Sequence, residues 1–199
     1  MKKFELTANS KMCLGKKLFQ IKALISFGNV EEGDLGGFIE KEDNLSQYGN
    51  AWVYDNARVY DNARVYDNAR VSGNAEVYDN ARVSGNARVY GDAEVYGDAW
   101  VYGNARVSGN AEVSGNAEVS GNAWVYGNED YTTIKGFGRN CRNTTFFKSE
   151  DGDVKVVCGC FYGTLDEFRK KVKETHGDSK YATEYLMIAD LMELHFKED

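Results

Sequence analysis

The chain has 199 residues, 42% hydrophobic and 13% aromatic, which excludes a disordered polymer and suffices for one large domain or two small ones. Its formal net charge of -7, from 24 Lys and Arg against 31 Asp and Glu, argues against general binding of nucleic acid or of an anionic membrane, because both draw on clustered cations. No stretch nears the roughly 20 apolar residues of a membrane helix. The opening Met1-Lys2-Lys3-Phe4-Glu5-Leu6 turns polar before a signal-peptide core can form, and Cys13, Cys141, Cys158 and Cys160 are too few for a disulfide scaffold. The expectation is a soluble, cytoplasmic protein.

Residues 1–34 contain an apolar run, Leu18-Phe19-Gln20-Ile21-Lys22-Ala23-Leu24-Ile25, that reads as a strand. From Gly49 a six-residue unit takes over: Gly or Asp, Asn or Asp, Ala, then Arg, Glu or Trp, then Val, then Tyr or Ser. Alanine recurs thirteen times from Ala51 to Ala123, and valine follows two places later from Val53 to Val125. Ile39 and Leu45 extend the alanine phase backwards, and Leu35-Gly36-Gly37 reads as a looser first rung. Alternation of period 2 within Ala-X-Val-Y puts Ala and Val on one face of a short four-residue strand. The remaining two residues suit a corner, since Gly carries no steric penalty at positive φ and Asn or Asp tolerate it. A four-residue strand and a two-residue corner cannot repeat as hairpins with every Ala and Val on one side, so the chain coils and each strand pairs with those above and below.

The unit, as in Val53-Tyr54-Asp55-Asn56-Ala57-Arg58, resembles the hexapeptide repeat of left-handed parallel β-helices, in which an aliphatic residue and a small residue four places later face inward. That resemblance implies triangular coils of three hexads each and the left hand, over residues 35–130. Those 96 residues make about five coils, and at about 4.8 Å per coil a column roughly 25 Å tall. The whole chain also resembles a group of hexapeptide-repeat proteins of gut Firmicutes and their prophages, through Gly33-Asp34-Leu35-Gly36-Gly37 and Ile134-Lys135-Gly136-Phe137-Gly138-Arg139.

An exposed coil end is an open β edge, so the flanks are expected to be caps: 1–34 at one end and 131–199, a small α+β domain that caps or oligomerises, at the other. After Tyr131 lysine returns, having been absent over 47–130. Thr144-Thr145-Phe146-Phe147 and Val154-Lys155-Val156-Val157-Cys158 flank Glu150-Asp151-Gly152-Asp153 and predict a hairpin. Thr164-Leu165-Asp166-Glu167 is a capping box opening a helix that ends near His176-Gly177. A second helix is predicted from Ser179 to Phe196, with Tyr185, Leu186, Ala189, Met192 and Phe196 at helical spacing. The fold class is therefore mainly β, a solenoid between an N-terminal β cap and a C-terminal α+β domain.

Many hexapeptide-repeat proteins are acyltransferases whose base is a histidine on the coil or on a loop inserted into it. Here the coil has neither, and His176 and His195 fall in the terminal domain, where His176 suits a helix C-terminus. Cys158-Gly159-Cys160 puts two sulfurs on one strand face, which with Cys141 and His176 would make a non-standard zinc set; buried reduced thiols are the simpler reading, and no metal or cofactor is expected. Stacking positions three hexads apart yields three outer faces. The first carries Trp52, Arg70, Arg88, Arg106 and Trp124 beside Tyr54, Ser72, Tyr90, Ser108 and Tyr126, with no acid. The second carries Arg58, Glu76, Glu94 and Glu112 with Tyr60, Tyr78 and Tyr96 and is acidic; the third, Arg64, Arg82, Trp100 and Glu118, is mixed. An arginine column with no acid is costly unless an anionic partner or another subunit meets it. The binding residues expected are Trp52, Arg70, Arg88, Arg106, Trp124, Tyr54, Tyr90 and Tyr126.

The function expected is non-enzymatic binding or scaffolding, with a protein partner, self-association through the faces or the C-terminal domain, and, by the prophage resemblance, inhibition of a host protein. The rivals are an acyltransferase, an acidic DNA mimic using the second face, and a small-molecule binder, for which unbroken hexads leave no pocket on the faces.

Overall fold

The computed structural model describes residues 2–197; Met1, Glu198 and Asp199 lie outside the described residues. Thirteen two-residue strands, β4 to β16, run from Trp52–Val53 to Trp124–Val125 at six-residue intervals. Each of them up to β13 pairs in parallel with the strand three hexads on, in strict register: Arg70 with Arg88, Glu76 with Glu94, Arg82 with Trp100. The result is a parallel β-solenoid of about five turns with three walls. Every alanine and valine of the repeat is buried.

The strands are shorter than the four residues expected. Only the X-Val pair is extended, because alanine already belongs to the corner, where its N–H donates to the carbonyl three residues back, as from Ala57 to Tyr54 at 3.1 Å. The first corner residue holds positive φ, 54° at Asp55 and 76° at Gly91. Corners also stack on corners. A Cβ on Gly91 would stand 3.1 Å from the Gly109 backbone, while at Asp55, Asp67 and Asp79 the carboxylate accepts the N–H of the glycine one coil further on.

At the start the frame differs from the expected one. Ile39 pairs with Val59 and Leu45 bridges to Val65, so both fill valine positions rather than alanine ones. The stretch from Leu45 to Ala51 is two residues longer than the Val-to-Ala step inside the repeat, and this displaces everything before it. Gln47 in that longer corner fastens the N-terminus, its amide oxygen accepting from the Lys3 and Phe4 N–H groups and its nitrogen donating to the Phe4 carbonyl. Two further strands, β1 (Phe4–Cys13) and β2 (Lys16–Ala23), pair antiparallel with each other, and β2 pairs with β3 (Leu35–Ile39), extending one wall beyond the first coil. The expected strand is thus β2, two residues earlier, while β1 has no counterpart in the sequence reading.

This cap overturns one expected binding residue. Trp52 is 1% exposed, edge-on to Phe4 and Phe27 at 6.2 and 5.4 Å, because the N-terminal segment folds over the first coil.

Backbone N–H groups of each coil donate to carbonyls of the next, as from Arg70 to Ala87 at 2.9 Å. The first coil is therefore left with spare carbonyls and the last with spare N–H groups. At the first, Lys3 Nζ donates to the Ala51 carbonyl, Asn44 Nδ2 to Ala63 and Lys11 Nζ to Asn56. Burial lowers the Lys3 ammonium to a pKa of about 8. At the last, Asn128 Oδ1, Tyr131 Oη and Thr145 Oγ1 accept from Glu112, Ser114 and Glu118 N–H, and Asp130 Oδ2 from Tyr126 and Gly127.

The C-terminal unit is an antiparallel sheet, β17 (Tyr131–Phe137), β18 (Arg142–Lys148), β19 (Val154–Cys158) and β20 (Phe161–Thr164), followed by α1 (Leu165–His176) and α2 (Lys180–His195). The capping box is formed, with Thr164 Oγ1 accepting from Glu167 N–H and Glu167 Oε2 from Thr164 N–H. Alternation along β18 and β19 divides the apolar groups. Phe147 and Val157 close the solenoid core, while Phe146 and Val156 face the helices. Among the described residues no helix is long and apolar enough to cross a membrane.

Two outcomes test this packing. Ala87→Leu should overfill the column and lower stability by about 1–3 kcal/mol in denaturant unfolding. Trp52→Ala should cost about 3–5 kcal/mol, whereas a surface tryptophan would change the midpoint little.

Candidate binding surface

The first wall stacks Arg70, Arg88 and Arg106 on adjacent parallel strands. Beside them lies a concavity of about 500 Å³ that Tyr54 and Tyr90 flank and Asn29 of the N-terminal loop borders. The faces thus do hold a pocket, against expectation. The sixth position of the repeat alternates Tyr54, Ser72, Tyr90, and the small serine between two phenols opens the space. Arg88 is exposed and Arg70 half-buried, and neither makes an ion pair with a carboxylate among the described residues.

The column is not wholly free of acid. Glu150, from the loop after β18, lies 3.4 Å from Arg106, and Asp55 lines the concavity with its carboxylate on the Gly73 N–H. Arg106 also sits over the Trp124 ring, 5.9 Å from its centroid. Trp124 and Tyr126 remain exposed at this end, so of the expected set only Trp52 is removed from the surface. Asn29 and Glu150 were not foreseen: each reaches the wall from a loop outside the repeat, and periodicity says nothing of where such loops fold.

The second wall resolves its like charges internally. Each tyrosine hydroxyl donates to the glutamate one coil on, Tyr60 to Glu76 at 2.8 Å, Tyr78 to Glu94 at 2.9 Å and Tyr96 to Glu112 at 3.4 Å. The rings stack with centroids 5.1 and 5.0 Å apart, and Arg58 pairs with Glu76. Burial, then the hydrogen bond to glutamate, raises the Tyr60 and Tyr78 phenols well above their ordinary value of 10.0. On the third wall Trp100 Nε1 donates to Ser84 Oγ and its ring lies 4.6 Å from that of Tyr102.

His176 lies against Tyr185 and Tyr181, and His195 against Phe196, both in the last turns of their helices and away from the coil. Cys158, Cys160 and His176 line one cavity, but Cys160 sits in the β19–β20 turn rather than on a strand face, because Gly159 at φ 61° turns the chain before it. No group of three or more His, Cys, Asp or Glu among the described residues has a metal-holding arrangement.

A phenol whose folded pKa is raised contributes stability that is full below the unfolded value of about 10 and is lost as pH rises above it. The alkaline loss of stability from pH 10 upward should therefore be shallower in Tyr60→Phe/Tyr78→Phe than in the unaltered protein, measured by urea unfolding at each pH.

Segments 51–65, 63–79, 75–91, 87–103 and 99–115 match the family described as the YdcK beta solenoid repeat. Together these cover 51–115, or 65 of the 199 residues, all within the coil. No curated protein matches the chain. With the parallel walls above, the repeat match makes this a repeat β-helix protein.

Proposed function

We propose that the protein is a non-enzymatic, cytoplasmic binding protein whose first wall docks an acidic protein surface. The observation that carries this reading is the in-register ladder Arg70-Arg88-Arg106 beside an open concavity, three rungs long where the third wall stacks only Arg64 on Arg82. Successive guanidiniums stand about 4.8 Å apart along the axis, so three span roughly 10 Å. Arginine presents planar donors to carboxylates, and exposed Trp124 and Tyr126 add apolar area at one end of the same wall. The second wall supports the DNA-mimic reading less, since its carboxylates already accept tyrosine hydroxyls. A histidine-free coil supports binding over acyl transfer. The resemblance to prophage-borne solenoids favours a host protein, inhibited by docking, as the partner.

Fluorescence anisotropy with a glutamate-rich peptide, together with light scattering, tests the reading. Charge reversal at Arg70, Arg88 and Arg106 to Glu should weaken peptide binding by about a hundredfold or more, a loss near 2.7 kcal/mol, while Arg64→Glu/Arg82→Glu on the third wall leaves it near the starting value. A change of oligomeric mass in the triple variant would identify a second copy as the partner. Unchanged binding and unchanged mass together would reduce the wall to solvated surface.

A further inference from the structure

The C-terminal unit holds a second cavity, of about 290 Å³, distinct from the solenoid walls. Its base is apolar and aromatic: Phe161 and Phe168 lie 5.5 Å apart, Phe168 meets Tyr185 edge-on at 5.6 Å, and Val172 packs in the same cluster. Its α1 contributors, Phe168, Lys171, Val172, Thr175 and His176, recur at three- and four-residue steps and so share one helix face. Arg139 and Arg142, from the turn after β17 and the start of β18, join Lys171 in the lining, and no Asp or Glu does.

The arginines distinguish this cavity from the rest of the domain. Arg169 is held by three carboxylates, Asp166, Asp190 and Glu193. Lys171 has only Glu174, at 3.6 Å, and Glu184 is turned to the Gly138 N–H and to Lys180. Arg139 and Arg142 have no carboxylate partner among the described residues. Asn140, Thr175 and His176 also line it, and the Tyr185 hydroxyl, its pKa pushed up to about 12 by burial, donates to the Phe137 carbonyl. Two guanidiniums and an ammonium at the exposed rim of one cavity repel one another unless an anion joins them.

We propose that this cavity binds a small aromatic anion, its carboxylate or phosphate held by Arg139, Arg142 and Lys171 and its ring seated on Phe161, Phe168 and Val172. The volume falls just under the usual range for ligand cavities, about 300–1,000 Å³, and suits one ring with one charged group. Bidentate guanidinium geometry suits either anion, so the proposal names their shared chemistry.

Isothermal titration with phenylacetate, phenyl phosphate, benzyl alcohol and inorganic phosphate tests it. Phenylacetate or phenyl phosphate should bind saturably, with benzyl alcohol and inorganic phosphate at least about tenfold weaker, and the stronger of the two aromatic probes separates carboxylate from phosphate. Arg139→Gln/Arg142→Gln should weaken the aromatic anions by about tenfold or more, and Lys171→Gln, at an exposed helix position, by less. Saturating phenylacetate should also slow alkylation of Cys160, which is exposed and lines the cavity. Absence of saturable binding by both aromatic anions up to about 10 mM would overturn the proposal, as would equal affinity for benzyl alcohol. Should the double variant fail to fold, the comparison of charged with neutral probes on the unaltered protein decides it.

Discussion

One-way hydrogen bonding along the axis governs this molecule. Because parallel strands three hexads apart pair without change of direction, every coil hands its N–H groups to the coil that follows it. Neither end can satisfy itself, and the two ends need opposite chemistry. The N-terminal segment brings donors, Lys3, Lys11 and the Asn44 amide, to the spare carbonyls. The C-terminal unit brings acceptors, Asn128, Asp130, Tyr131 and Thr145, to the spare amides. The flanks are therefore not interchangeable lids, and each also extends the core, with Phe4 and Ile21 at one end and Phe147 and Val157 at the other.

The same register forces like side chains onto like. Asparagines at the corners turn this to advantage, since an amide can donate and accept: Asn50, Asn68, Asn86, Asn104 and Asn122 form a continuous chain with contacts of 3.0–3.3 Å. Glutamates on the second wall are relieved by tyrosines one coil back. Arginines on the first wall have only Glu150 at one end, and this is the longest run of stacked like charge left without internal pairing, against the two rungs Arg64 and Arg82 of the third wall. That contrast, more than the sum of charges, sets this wall apart.

Most of the column was legible because a six-residue period leaves few alternatives: inward Ala and Val and positive φ at the corners follow from it, and the three walls from the resemblance to hexapeptide-repeat β-helices. What periodicity hides is anything that breaks it. The displaced frame at Ile39 and Leu45 arises from two extra residues before Ala51 that look like ordinary polar loop. Trp52 and Trp124 share one phase, yet Phe4 and Phe27 bury the first and leave the second open, a difference decided by a segment far away in sequence. Polar strand β1, with Thr7, Asn9 and Ser10 at its centre, carries too little alternation to announce itself. The α1 capping box, by contrast, is local chemistry, and its hydrogen bonds form where the residues stand.

The two-residue enlargement of the first corner has a consequence for how the chain counts. Backbones this alike pair almost as well after a slip of one whole coil, so inside the repeat only side-chain contacts such as Arg58 with Glu76 tell one coil from the next. The reference marks lie at the unrepeated junctions, Ile39 on Val59 at one end and Ala123 on Ser149 at the other. Between them, three hexads can be added or removed without disturbing either junction. Each such step changes the height by about 4.8 Å and the arginine ladder by one rung. The solenoid is in this sense a ruler graduated in coils, with its zero fixed by an irregularity.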